Sequence, residues 1–142
     1  MLDVARTELL LQDFCKSDSN ILAVYLFGSQ VDGTAHAKSD LDLAVLFMEP
    51  LTLWQELEFQ AKVSTAIRYE AVDLLNLNKA PLRMQFTVLS TGRLIYEADS
   101  EKTSDYIETV LLRYHDRAYR EKRFFAEWDE GLKEDYLNGQ SE

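Results

Sequence analysis

Two hydrophobic periods alternate along the chain. Over residues 3–16, Ala5, Leu9, the pair Leu10 and Leu11, and Phe14 return toward one side, which predicts an amphipathic helix. Ser17-Asp18-Ser19-Asn20 follows as a turn cluster. Ile21 to Phe27 is a continuous apolar run, short and bounded by turn residues, which predicts a buried strand. Gly28 and Ser29 break it, and the mostly polar residues 30–39 predict a short helical turn and a loop. Leu41 to Phe47 predicts a second strand, stopped by Pro50. Residues 51–68 show helical spacing through Leu53, Trp54, Leu57, Ala61, Ser64 and Ile67. Ala71 to Leu77 predicts a third strand. Pro81 suits a helix start, with Leu82, Phe86 and Leu89 on one side up to Gly92, and Arg93 to Glu97 suits a short edge strand. From Asp105 the apolar residues Ile107, Val110, Leu111, Tyr114, Ala118, Phe125, Trp128 and Leu132 predict one long C-terminal helix.

This order of elements predicts an α/β (α+β) fold: a small mixed sheet of three to four strands, flanked by helices, with a long C-terminal helix. A chain of 142 residues makes one ordinary domain, expected over 1–142 with a core of about 20–98 and a helical segment of about 100–137. The charge count changes the picture. Fifteen basic residues stand against 25 acidic ones, a net of −10. Such a chain is repelled by nucleic acid and anionic lipid, so neither is expected as a direct partner. A phosphate-bearing ligand would need metal ions or oriented backbone N–H groups. The charge is uneven along the last helix: Arg113 to Arg123 carries a net of +3, and residues 124–142 a net of −5.

Cys15 is the only cysteine, so no intrachain disulfide forms, and it is expected as a small apolar helix residue. His36 and His115 show no metal-ligand spacing. Asp3 and Glu8 interrupt the N-terminal apolar pattern, and no run approaches the ~20 residues that span a bilayer. A cytoplasmic protein is expected.

The chemistry-bearing segment is Leu26-Phe27-Gly28-Ser29, then ten residues, then Asp40-Leu41-Asp42. The strand period puts Asp40 and Asp42 on one face, with Leu41, Leu43 and Val45 on the other. Two carboxylates ~7 Å apart at their Cα atoms repel unless something positive lies between them. One or two Mg²⁺ ions, which take oxygen ligands and keep positions open for phosphate, are the usual solution. Asp73 interrupts an apolar strand, where a carboxylate is costly unless paired or metal-bound. If the third strand lies beside the second, Asp73 completes a triad. Gly28 permits close backbone approach and an unusual φ, and Ser29 with the N–H groups after it can face an anion.

Gly28-Ser29, Asp40-x-Asp42 and the lone strand carboxylate Asp73 resemble the signature of the nucleotidyltransferase superfamily with the DNA polymerase β-like fold. Gly33-Thr34-Ala35 and Ser39-Asp40-Leu41-Asp42-Leu43-Ala44-Val45 fit it too, while Gln30 stands where many members carry a basic residue. The likeness covers roughly residues 20–80. Within the superfamily the chain is most similar to the minimal nucleotidyltransferases, the MntA-type antitoxins paired with HEPN ribonuclease toxins. That resemblance implies transfer of AMP from ATP to a tyrosine of a cognate HEPN toxin, with which the chain would form a hetero-oligomer. It implies that Asp40 and Asp42 bind two Mg²⁺ ions. Asp73 would bind the catalytic ion and help deprotonate the attacking hydroxyl. Gly28 and Ser29 would hold the β and γ phosphates of ATP. Two other readings remain open: an antitoxin that acts by contact alone, and a small-molecule (aminoglycoside-type) nucleotidyltransferase.

Overall fold

The computed structural model describes residues 3–28 and 40–140, with side chains as far as residue 128. Helix α1 (Val4–Lys16) leads to strand β1 (Ile21–Phe27). Strand β2 (Leu41–Phe47), helix α2 (Leu53–Ile67) and strand β3 (Val72–Asn76) form a strand–helix–strand unit. Helix α3 (Leu82–Thr91), strand β4 (Arg93–Glu97) and helix α4 (Ser100–Gln140) complete the chain. The strands lie in the order β3-β2-β1-β4. β1 runs antiparallel to both β2 and β4, and β2 runs parallel to β3. The sheet is therefore mixed and four-stranded, as the element order predicts, and parallel pairing of β2 and β3 is what a helical crossover permits.

Both faces of the sheet are covered, and this explains the unbroken apolar runs of β1 and β2. Leu41, Leu43, Val45 and Phe47 of β2 pack with Leu11 and Cys15 of α1 and with Phe59, Val63 and Ile67 of α2. On the opposite face Ala44 and Leu46 pack with Ala23, Tyr25, Leu77 and Val88, against which Tyr106 of α4 is set. Cys15 is buried, and burial, then the nearby Asp18 carboxylate, push its thiol up to about 12. It serves as a small apolar residue, as expected.

The helices begin where their caps allow. The Asp3 carboxylate accepts from the Arg6 amide at 3.2 Å and starts α1. Thr52 and Gln55 exchange side-chain and backbone hydrogen bonds at the start of α2, a reciprocal capping box. At its other end Arg68 takes the left-handed conformation, with φ 56°.

Two helix faces differ from the expected ones. In α2 the inward stripe is Phe59, Val63 and Ile67, whereas Leu53, Trp54 and Leu57 are exposed, Trp54 by 77%. The helix carries two apolar stripes, and the one that meets the sheet is the one whose Phe59 ring packs edge-on against Phe47, centroids 5.0 Å apart. In α1 the buried positions are Thr7, Leu11 and Cys15, while Leu9 points outward. Helix α4 starts at Ser100, earlier than its apolar spacing does, because the Asp99 carboxylate accepts from the Lys102 amide at 3.1 Å. Among the described residues, no helix is long and apolar enough to cross a membrane.

Candidate functional site

The carboxylates meet at the end of the sheet where β1 finishes and β2 and β3 begin. In the parallel pairing Asp42 lies directly beside Asp73, one step after Leu41 beside Val72. The backbone bond from the Leu41 amide to the Ala71 carbonyl, 2.7 Å, opens this ladder and fixes its register. Asp42 is also the antiparallel partner of Phe27, the last residue of β1. Three chain segments thus converge on Asp42.

Gly28 follows Phe27 with φ +77°, in the left-handed region that side chains disfavour. A Cβ on Gly28 would sit 2.1 Å from Oδ2 of Asp42. The glycine is therefore needed twice over, for the turn and for the space it leaves the carboxylate. Gly92, at the end of α3, backs this corner: a Cβ there would lie 2.5 Å from the Val88 carbonyl oxygen and 3.2 Å from that of Leu26. The sequence presents Gly92 only as a helix stop; its support of the end of β1 depends on the β1–β4 pairing, which no local signal encodes.

The electrostatics follow from this convergence. Asp42 is half-buried, and its carboxyl is held above the usual carboxylate range, first by burial, then by the charge of Asp73, then by that of Asp40. Asp40 lies just before β2 and is exposed. Asp73 is exposed as well, because β3 is an edge strand. The burial cost expected for a carboxylate in an apolar strand therefore does not fall on Asp73. What Asp73 contributes is its place beside Asp42. Ser29 lies outside the described residues, as do Gln30, Gly33, His36 and Lys38.

Among the described residues, no three His, Cys, Asp or Glu side chains gather closely enough to hold a metal ion. The donor chemistry at the sheet end nonetheless suits a hard divalent cation. The side-chain oxygens available there are carboxylate oxygens, and one of the carboxylates is burdened by burial and then by its neighbours' charge, which a cation would relieve.

A mixed sheet with a left-handed glycine at the end of one strand and paired carboxylates on the next two is the arrangement of a nucleotidyltransferase. The chain belongs to the polymerase beta nucleotidyltransferase family, whose pattern matches residues 10–101. It is similar to the protein adenylyltransferase MntA of Shewanella oneidensis, at 30% identity over 98 residues, or 69% of this chain and 70% of that protein. Its fold is similar to that of a chain in the crystal structure of a toxin–antitoxin with AMP-PNP, at 28% identity and a TM-score of 0.63, covering 84% of this chain and 94% of that one. A chain in a mutant MntA toxin–antitoxin complex gives 26% identity and a TM-score of 0.62 over the same shares. The expected likeness to the minimal nucleotidyltransferases therefore holds.

Proposed function

We propose that this chain is a protein adenylyltransferase that acts as an antitoxin, transferring AMP from ATP to a tyrosine hydroxyl of a cognate HEPN ribonuclease toxin. The observation that carries the reading is the side-by-side register of Asp42 and Asp73 next to the left-handed Gly28. Its similarity to MntA and to an antitoxin crystallised with an ATP analogue and a toxin supports the choice of nucleotide and partner. Residues 1–142 act in this reading as one minimal domain in the cytoplasm.

Asp40, Asp42 and Asp73 would hold Mg²⁺, two ions in the fullest form of the site. When bound, the ions supply charge neutralisation at the phosphates and at the entering and departing oxygens. The chain's own residues do the rest. The absent side chain of Gly28 lets the phosphate tail approach the end of β1. Ser29 is assigned to the β and γ phosphates by the family resemblance. Asp73, exposed on the edge strand, would receive an acceptor presented from outside and take its hydroxyl proton. The tyrosine oxygen bonds to the α phosphorus, the bond from that phosphorus to the bridging oxygen breaks, and pyrophosphate leaves. An in-line displacement of this kind needs positioning and charge stabilisation more than covalent help from the protein.

The experiment is a comparison of chemistry with contact. The HEPN protein, incubated with this chain, ATP and Mg²⁺, gains the mass of one adenylyl group per transfer, with loss of RNase activity. The Asp40→Asn, Asp42→Asn double variant leaves mass and RNase activity unchanged. Full neutralisation by the double variant would show that contact suffices and remove the enzymatic reading.

A further inference from the structure

Helix α2 ends in a conformation that its capping residue disfavours. Arg68 has φ 56° and ψ 42°, and among the described residues it is the one non-glycine residue with positive φ. Glycine or asparagine usually fills such a position after a helix, because a larger side chain meets a steric penalty there. The Arg68 side chain is exposed, and none of the ion pairs among the described residues includes it. Its charge suits the carbonyl end of α2, but a lysine would serve that purpose equally. The strain is therefore not offset by any packing of this arginine within the chain, which directs attention to what its guanidinium can bind.

The turn that carries Arg68 is tied down on both sides. The amides of Arg68 and Tyr69 donate to the Ser64 carbonyl, the second at 3.2 Å. The Val72 amide donates to the Glu70 carbonyl at 2.8 Å, and the Leu41 amide to the Ala71 carbonyl at 2.7 Å. Arg68 precedes Asp73 by five positions, at most about 18 Å of chain. An open cleft of about 510 Å³ runs along this turn, lined by Ala61, Ser64, Thr65, Arg68, Tyr69 and Glu70. The sheet decides what the cleft can reach. Asp42 and Asp73 lie in register on the face of Ala44, Leu46 and Leu75, whereas α2 packs on the face of Leu41, Leu43 and Val72. The cleft is thus across the sheet from the place where Asp42 would hold metal and phosphate. The edge is different. β3 is the outermost strand, so a protein whose tyrosine sits on Asp73 overhangs the start of β3 and the turn before it. A standard interface covers about 800 Å² of each partner, a patch roughly 30 Å across, and Arg68 falls within such a patch. The exposed carboxylates of Glu70 and Asp73 there repel an acidic group. The guanidinium fork binds one through two parallel hydrogen bonds.

We infer that Arg68 is a specificity-determining residue for the acceptor: its guanidinium binds a carboxylate of the acceptor protein close to the acceptor tyrosine, and so sets that tyrosine over Asp73. The inference deepens the adenylyltransferase reading of the same site and rests on it. Arg68 touches neither ATP nor the reacting atoms, so it is a positioning residue. Its left-handed backbone turns the side chain to the wall of the cleft, on the side from which the acceptor protein arrives.

Steady-state adenylyl transfer to the HEPN protein, with each substrate varied in turn, tests it. Arg68→Gly relieves the left-handed strain, so the variant folds and its Tm does not fall. Its KM for the HEPN protein rises about tenfold, the scale of one lost hydrogen bond to a charged group. Its kcat and its KM for ATP stay within about twofold of the unaltered values. Arg68→Glu raises the KM for the HEPN protein further, and Arg68→Lys recovers part of the loss, because an ammonium keeps the charge without the fork. Lys16→Glu makes the same change of charge on the last turn of α1, at the other end of the sheet, and leaves that KM unchanged. An unchanged KM for the HEPN protein in Arg68→Gly, a rise in the KM for ATP in its place, or an equal rise in Lys16→Glu each overturns the inference. Absence of transfer by the unaltered chain would instead overturn the adenylyltransferase reading, and this role of Arg68 with it.

Discussion

A methyl group on Gly28 would fall 2.1 Å from Oδ2 of Asp42. The glycine at the end of β1 and the aspartate of β2 therefore occupy one shared volume, and neither position is independent of the other. Gly28→Ala meets two costs, the left-handed φ of +77° and the displaced carboxylate. We expect a stability loss of about 1–3 kcal/mol and a fall of several degrees in Tm, together with loss of adenylyl transfer. Thermal unfolding followed by circular dichroism and the adenylylation assay check both halves.

Asp42 should weaken the metal-free protein that it equips. Its carboxyl is held above the usual range by burial, then by Asp73, then by Asp40. The folded state therefore binds the proton more tightly than the unfolded chain, and stability falls as pH rises from the ordinary aspartate value through the raised one. Asp42→Asn removes that penalty. At neutral pH and without divalent ions the variant should be more stable by about 0.5–1 kcal/mol, the scale of a like-charge cross-strand pair. The difference should vanish as the pH falls below the aspartate range. Urea melts at several pH values measure it.

Divalent ions should reverse the order of those two proteins. Mg²⁺ bound to the native fold raises Tm by mass action, and Asp42→Asn loses that response with its ligand. Differential scanning fluorimetry with and without Mg²⁺ and an ATP analogue is the check.

The two aromatic residues of α2 should behave oppositely. Trp54 is the larger, yet it is exposed, and Trp54→Ser should change stability by no more than about 0.5 kcal/mol. Phe59→Ala opens a cavity between Phe14 and Phe47 and should cost about 3–5 kcal/mol. Chemical denaturation of both variants separates the inward face from the outward one.

That contrast shows what was legible in the chain. β1 and β2 fall where their apolar runs and turn residues put them, because strands buried on both faces leave an unmistakable run. Helix faces were less legible. α2 has two apolar stripes, and only the ring contacts of Phe59 decide between them. At the site, Gly28 and Asp42 were readable from spacing and glycine chemistry. The meeting of Asp42 with Asp73 was not, since it requires parallel pairing of two strands separated by a helix. The exposure of Asp73 follows from the edge position of β3, which is a property of strand order and not of local sequence. Past Tyr114, α4 reads in the sequence as continuous amphipathic helix, and only the fold reveals that its described residues 115–128 are exposed.

Cys15 offers a check on the opposite face. With its thiol pushed up to about 12, it should resist thiol reagents in mildly alkaline buffer until the protein unfolds. The rate of labelling with increasing urea should follow the unfolding curve.

The most direct measurement is the rate of adenylyl transfer to the HEPN protein by Asp73→Asn, at saturating ATP and Mg²⁺. Asp73 is exposed and not part of the buried core, so the variant should fold normally while its transfer rate falls by about 10²-fold or more. A variant that folds and transfers within about twofold of the unaltered protein would contradict the placement of the reaction beside Asp42.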